Sequence, residues 1–308
     1  MPGPENFDYM AHAKYFFIFL IAAMLAGCTS MRSLPSEADA ALAAEEAFQA
    51  SDYETALAKY ETLIEDKRNR DEEVEDAYFR GAGLSAHAMG HTGKVLDYLE
   101  PIRHDRGAGD EVFAALAKAY REIDNLSREI TSLEVYIEDY PEGGEYEALR
   151  LRYFKTLVKS MNWERALQLW PQIEAEARGN EALLNKYLAV NQALGNEEAA
   201  NETAADLLRL NPDNTDALNR LGRLHFDRAV EIHERETRAY ERNRTHQQYN
   251  QLLQAYEVMN REFRTALGHF LRLYELEPTR ETASFLRNIY TRFNDEERAR
   301  YYERQMQE

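Results

Sequence analysis

Two hydrophobic patterns divide the chain. Tyr15 to Leu25 is an unbroken apolar run of 11 residues. From residue 37 onward, apolar positions recur every three or four residues, the period of amphipathic helices. Turn and cap residues punctuate them near Asp52, His91, Asn125, Asn162, Asn196, Glu262 and Asp295, at intervals of 39, 34, 37, 34, 66 and 33. Four residues after each marker stand Ala56, Val95, Glu129, Ala166, Ala200, Ala266 and Ala299. A small side chain there lets a partner helix approach closely. One turn further on, Tyr60, Leu99, Leu133, Trp170, Ala204 and Phe270 fall on the same helical face. Ser51 with Glu54 has the spacing of a capping box. Tyr140-Pro141, Asn211-Pro212 and Glu277-Pro278 are helix stops, because proline lacks an N–H and restricts the residue before it. Pro101 and Pro171 should each kink or shorten a helix.

A repeat of this length built from two antiparallel helices resembles the tetratricopeptide family. Phe113, Leu116, Ala117 and Tyr120 match the family's first-helix pattern in the third unit, and Pro141 closes it. Leu218, Leu221, Gly222, Ala266, Phe270 and Pro278 match in the sixth, and Gly83 in the second. Glu129 departs from the preferred alanine, and Phe154 occupies a small-residue site in the fourth unit. The resemblance implies an all-α solenoid of about seven helix pairs over residues 37–308.

The interval of 66 interrupts the sixth unit with about 32 extra residues, at about 227–260. Asp227 to Arg242 and His246 to Asn260 both read as helical, with a tip at Asn243 to Thr245. Val230, Thr237 and Tyr240 would face Tyr249, Leu252, Leu253, Tyr256 and Met259. This predicts an extended antiparallel hairpin, sixteen residues longer per helix and projecting about 24 Å. The alternative is a degenerate extra repeat.

The first thirty residues read as an address. Lys14 precedes the apolar run, which is too short to span a membrane and fits a secretory signal peptide over residues 1–27. Met10 is an alternative start. Leu25-Ala26-Gly27-Cys28 resembles the bacterial lipobox, which implies cleavage after Gly27, lipidation of Cys28 and a tether over 28–36. Thr29 at the next position points toward the outer membrane, facing the periplasm. Multiple acyl chains give stable anchoring, at about 0.8 kcal/mol per buried methylene.

Composition narrows the function classes. With 44% hydrophobic and 30% charged residues, the chain suits a surface-rich helical protein. A formal charge of −18 argues against a nucleic-acid partner. From Arg220 onward the balance changes, with 16 Arg against 15 Asp plus Glu. The single cysteine excludes an internal disulfide or a thiolate metal cluster. His87 and His91 have the spacing of a helical metal pair, but Gly90 and a turn intervene. His233-Glu234 starts like a zinc-protease motif whose second histidine is missing. No phosphate-binding loop, dinucleotide fingerprint or nucleophile elbow occurs, so no cofactor, metal or enzymatic activity is expected.

The family lines its concave surface with first helices. On this chain that projection brings Arg80, Lys118, Arg121, Arg152, Lys155, Lys159, Arg220 and Arg223 to or near the inner face. Such a strip could hold acidic segments of proteins or peptides, or be paired internally with neighbouring carboxylates. The family's carboxylate clamp is not reproduced. The expectation is a lipid-anchored scaffold or adaptor for protein–protein interactions in the cell envelope. Its alternatives are an outer-membrane assembly component, a regulator of wall enzymes, a glycan receptor, or a hydrolase.

Overall fold

The computed structural model describes residues 36–307, which divide into two compact units, 36–104 and 105–307. Cys28 and residues 1–35, with the expected signal peptide and most of the tether, lie outside the described residues.

The first unit holds α1 (Glu37–Gln49), α2 (Tyr53–Asn69), α3 (Asp76–Ala88) and α4 (Thr92–Leu99). Its core gathers Ala44, Ala56, Tyr60, Ile64, Ala82, Val95, Leu99 and Ile102. Ser36 caps α1 reciprocally: its hydroxyl accepts from Asp39 N–H, and the Asp39 carboxylate accepts from Ser36 N–H. The expected box at Ser51 is not formed. Ser51 adopts a left-handed φ of 60°, and Asp52 is the cap, accepting from Thr55 N–H at 3.3 Å. Pro101 leaves α4 only eight residues long.

The second unit continues with α5 (Asp110–Glu122), α6 (Leu126–Asp139), α7 (Tyr146–Lys159), α8 (Trp163–Ala177), α9 (Glu181–Leu194), α10 (Glu197–Leu210), α11 (Thr215–Arg242), α12 (His246–Leu276), α13 (Arg280–Arg292) and α14 (Glu296–Gln305). Each helix packs on the next, so five pairs stack in chain order. The all-α reading holds: seven helix pairs account for the described helices of both units. One buried cluster runs from Phe113 to Leu221 and a second from Leu218 to Tyr302, with Leu208 packed against both. Burying a side chain such as Leu133 or Phe263 stabilises by about 1.5–3 kcal/mol, so the successive seams hold the stack together.

Six turns within helix pairs share one construction. Ser51, Gly90, Asp124, Met161, Gly195 and Asn294 are left-handed, with φ between 54° and 73°. The next residue's N–H then reaches the carbonyl five residues back: Asp52 to Ala47, His91 to Ala86, Asn125 to Tyr120, Asn162 to Leu157, Asn196 to Asn191 and Asp295 to Tyr290. This is the Schellman closure, which satisfies carbonyls that a helix end otherwise leaves free. The donating residue is also the N-cap of the second helix, so one short turn both ends and begins a helix.

The small-residue sites lie in the seams. Ala56, Ala166, Ala200 and Ala266 are fully buried, and Val95 and Glu129 nearly so, whereas Ala299 is half-buried. Facing glycines admit the large residues one turn on. A Cβ on Gly81 would come within 2.3 Å of the Tyr60 ring, and one on Gly83 within 2.2 Å of Leu99. Phe154, at a small-residue site, is buried against Trp170 with ring centroids 5.4 Å apart.

Prolines stop α6, α10 and α12 two residues ahead, as expected, but α8 runs through Pro171. The turn expected near Glu262 is absent. α12 is one helix of 31 residues and passes through that position, because the heptad-like apolar series Leu252, Met259, Phe263, Ala266 and Phe270 continues without a break. α11 has 28 residues and lies along α12, with the link at 243–245. His225 and His269, Phe226 and Phe263, His233 and Tyr256, and Tyr240 and Tyr249 meet across this pair. Leu253, expected in the seam, is 45% exposed, as is Tyr249 despite its contact with Tyr240.

Candidate partner-binding surface

First helices in the second unit have basic residues where the repeat pattern projects them. α7 touches α9 as well as its own partner α8, so these two first helices lie side by side.

Most of the basic strip is already engaged. Lys118 on α5 pairs with Glu145 at 2.8 Å. Arg152 on α7 pairs with Glu129 on α6 at 2.5 Å. Lys159 pairs with Asp124 at 2.6 Å, and the ammonium holds that carboxyl below the usual range. Arg220 on α11 pairs with Glu197 and donates to Asn201 Oδ1 at 2.8 Å. Arg223 pairs with Glu281 at 2.5 Å, donates to Asn219, and lies over the Phe285 ring at 5.0 Å. Arg121, exposed at the end of α5, and Lys155, half-buried on α7, carry no ion pair among the described residues. They are the cations of this unit's strip without an ion pair to a described residue.

Arg80 belongs to the first unit. There it lines a groove of about 500 Å³ with Ala41, Leu42, Phe48, Tyr78 and Leu84. Leu42 is 59% exposed, so the groove is apolar and open. Glu45 at its edge accepts from Gln49 and from the Tyr60 hydroxyl, bonds that keep its carboxyl below the ordinary range. Of this groove the repeat pattern singled out Arg80 and Tyr60. The apolar lining comes from α1 and α3, which are separate in sequence and meet only in the fold.

Glu129 explains the departure from alanine. Its carboxylate is 1% exposed and accepts from Arg152 Nε and from the Thr156 hydroxyl at 3.2 Å, while Oε2 has no partner. The site trades close apolar packing for a link between one helix pair and the next. A similar polar link joins α9 to the turn before α11. There Glu181 accepts from the side-chain amides of Asn211 and Asn214, each at 2.8 Å, and these donors lower its pKa.

His225 Nδ1 lies 2.6 Å from Glu262 Oε2, and its ring stacks on His269 at 5.9 Å. Burial, then the neighbouring His225, pushes His269 below its ordinary pKa. Among the described residues no cluster of three metal-ligating side chains occurs, and no helix is long and apolar enough to cross a membrane.

No family model matches the chain, and no curated protein matches its sequence. Solved structures do align with it. A protein from Bacteroides ovatus aligns at 15% identity and a TM-score of 0.49, covering 70% of this chain and 97% of its own. MamA of strain AMB-1 aligns at 18% identity and a TM-score of 0.43, over 66% of this chain and 91% of its own. YrrB, described as a tetratricopeptide protein with an unusual peptide-binding site, aligns at 17% identity and a TM-score of 0.42, over 57% and 87%.

Proposed function

We propose that this chain is a tetratricopeptide-type scaffold that binds other proteins through its first helices and catalyses no reaction. The observation that carries the reading is the stack itself: helix pairs closed by one repeated turn, with the first helices α7 and α9 side by side and two cations, Arg121 and Lys155, not neutralised internally. A stack of this kind offers a long surface for an extended partner. Acidic segments fit the two cations.

The lipobox-like Leu25-Ala26-Gly27-Cys28 supports a lipid anchor on Cys28 and a place in the cell envelope, at the outer membrane facing the periplasm. Anchoring confines the scaffold to a surface and raises the effective concentration of whatever it recruits. The adaptor would then hold envelope proteins near the bilayer.

Two arms test this reading. A photo-crosslinking residue placed at Lys155 in living cells should capture a discrete protein, while one at exposed Glu202 on the second helix α10 should not. Cys28→Ser should move the chain from the membrane fraction to the soluble fraction and abolish labelling by a palmitate analogue. Equal capture at both positions, or an unlabelled wild-type chain, contradicts the respective half of the proposal.

A further inference from the structure

The long pair α11–α12 leaves one face unused. Exposed Tyr249 and Leu253, each 45% accessible, stand four residues apart on α12, beside rather than within the seam formed by Leu252, Tyr256 and Met259. Helical spacing extends their stripe to His246, Asn250, Glu257 and Asn260. Residues 245–256 contain no Asp, Glu, Lys or Arg, in a chain where 30% of residues are charged. The exposed positions between the apolar ones are glutamine and asparagine, notably Gln247, Asn250, Gln251 and Gln254.

We propose that this stripe is a self-association surface on which α12 of a second copy packs antiparallel, so that two hairpins form a four-helix bundle. Charge selects the occupant. Two copies of a chain with net charge −18 repel each other, and they meet at least cost where neither presents like charge. A two-fold pairing is self-complementary by construction. With the axis at Leu253, the two leucines face each other. Each Tyr249 meets the second copy's Glu257, the one ionised group on the stripe, and can donate its hydroxyl to that carboxylate. Each His246 meets the second copy's Asn260. The amides between them can pair across the junction without a desolvated charge. The inference does not depend on the first-helix surface, which lies on other helices.

Sedimentation equilibrium of residues 29–308, which contain every described helix and no cysteine, tests it. The chain should dimerise on the order of 10 µM, and Leu253→Asp should weaken that by roughly tenfold or more with helical content retained. If Leu253→Asp loses helicity, Tyr249→Arg replaces it. Under mild oxidation Leu253→Cys should crosslink to its own copy, and Gln251→Cys, exposed on the other side of α12, should crosslink far less. A chain that stays monomeric to about 200 µM overturns the proposal. So does a dimer indifferent to these changes, or one in which both cysteines crosslink equally.

Discussion

A Cβ on Gly222 would lie 2.8 Å from Cε1 of the Phe270 ring, so the α11–α12 seam closes only because position 222 carries no side chain. Gly222→Val should therefore destabilise by about 1–3 kcal/mol through overpacking, and Phe270→Leu should recover part of that loss. Gly268, on the same long pair, has nothing within 4 Å of its would-be Cβ. Gly268→Ala should stabilise by about 0.5–1 kcal/mol. Urea unfolding of the two variants should shift in opposite directions; shifts of the same sign would show that the seam tolerates a larger residue.

Turn geometry makes a second pair of opposite expectations. Gly195 is left-handed at φ 69°, and Gly195→Ala should cost about 1 kcal/mol. Met161 holds φ 58° with its side chain 69% exposed, so Met161→Gly loses little packing and relieves strain. A gain of about 0.5 kcal/mol in thermal unfolding is expected. A loss would mean that the six turns are not equivalent.

The Glu129–Arg152 pair should respond asymmetrically. Arg152 is 27% exposed and can turn to water, whereas Glu129 is 1% exposed. Arg152→Ala strands a buried carboxylate and should cost about 3 kcal/mol. Glu129→Ala leaves a cation that can rehydrate and installs the small residue that the next pair carries at Ala166, so its cost should be clearly smaller. Denaturant midpoints for the two variants check the order, and the reverse order would contradict it.

Acid should weaken the α11–α12 pair before it titrates the carboxylates. His269 sits below its ordinary 6.5 because it is buried and faces His225, and burial does the same to His233. The unfolded chain therefore takes up protons first as pH falls. Stability from these neutral histidines is complete above 6.5 and declines as pH drops below it toward the folded-state values. Carboxyls such as Asp213, lowered by Arg272, erode stability further only below the ordinary carboxylate range. The urea midpoint should be lower at about pH 5.5 than at about 7.5, with the gap narrowed in His269→Gln. An unchanged or higher midpoint in acid would contradict this assignment.

Local chemistry was legible in the sequence where one turn of helix decides it. Six of the seven turn markers are N-caps, and Ala56, Ala166 and Ala200 four residues after theirs are buried, because both follow from spacing within one helix. Ser51 and Glu262 were misread for related reasons. A serine beside a cap residue resembles a cap, and a polar marker inside a long helix resembles a turn. The neutralisation of the basic strip was not legible. Arg152, Lys118 and Lys159 find carboxylates 23, 27 and 35 residues away, on segments whose approach only the fold determines. The exposure of Tyr249 and Leu253 was hidden likewise, since a 3.6-residue period leaves the exact boundary of a packed face open by a residue.

The scaffold reading rests on Arg121 and Lys155 meeting an acidic partner, and a binding titration tests that most directly. Fluorescence anisotropy with a labelled peptide rich in glutamate should show saturable binding to residues 29–308 that weakens with salt. Arg121→Glu with Lys155→Glu should weaken it by roughly tenfold or more, while Lys59→Glu on α2 of the first unit leaves it unchanged. Absence of binding, or equal affinity in the double reversal and the wild-type chain, would contradict the account.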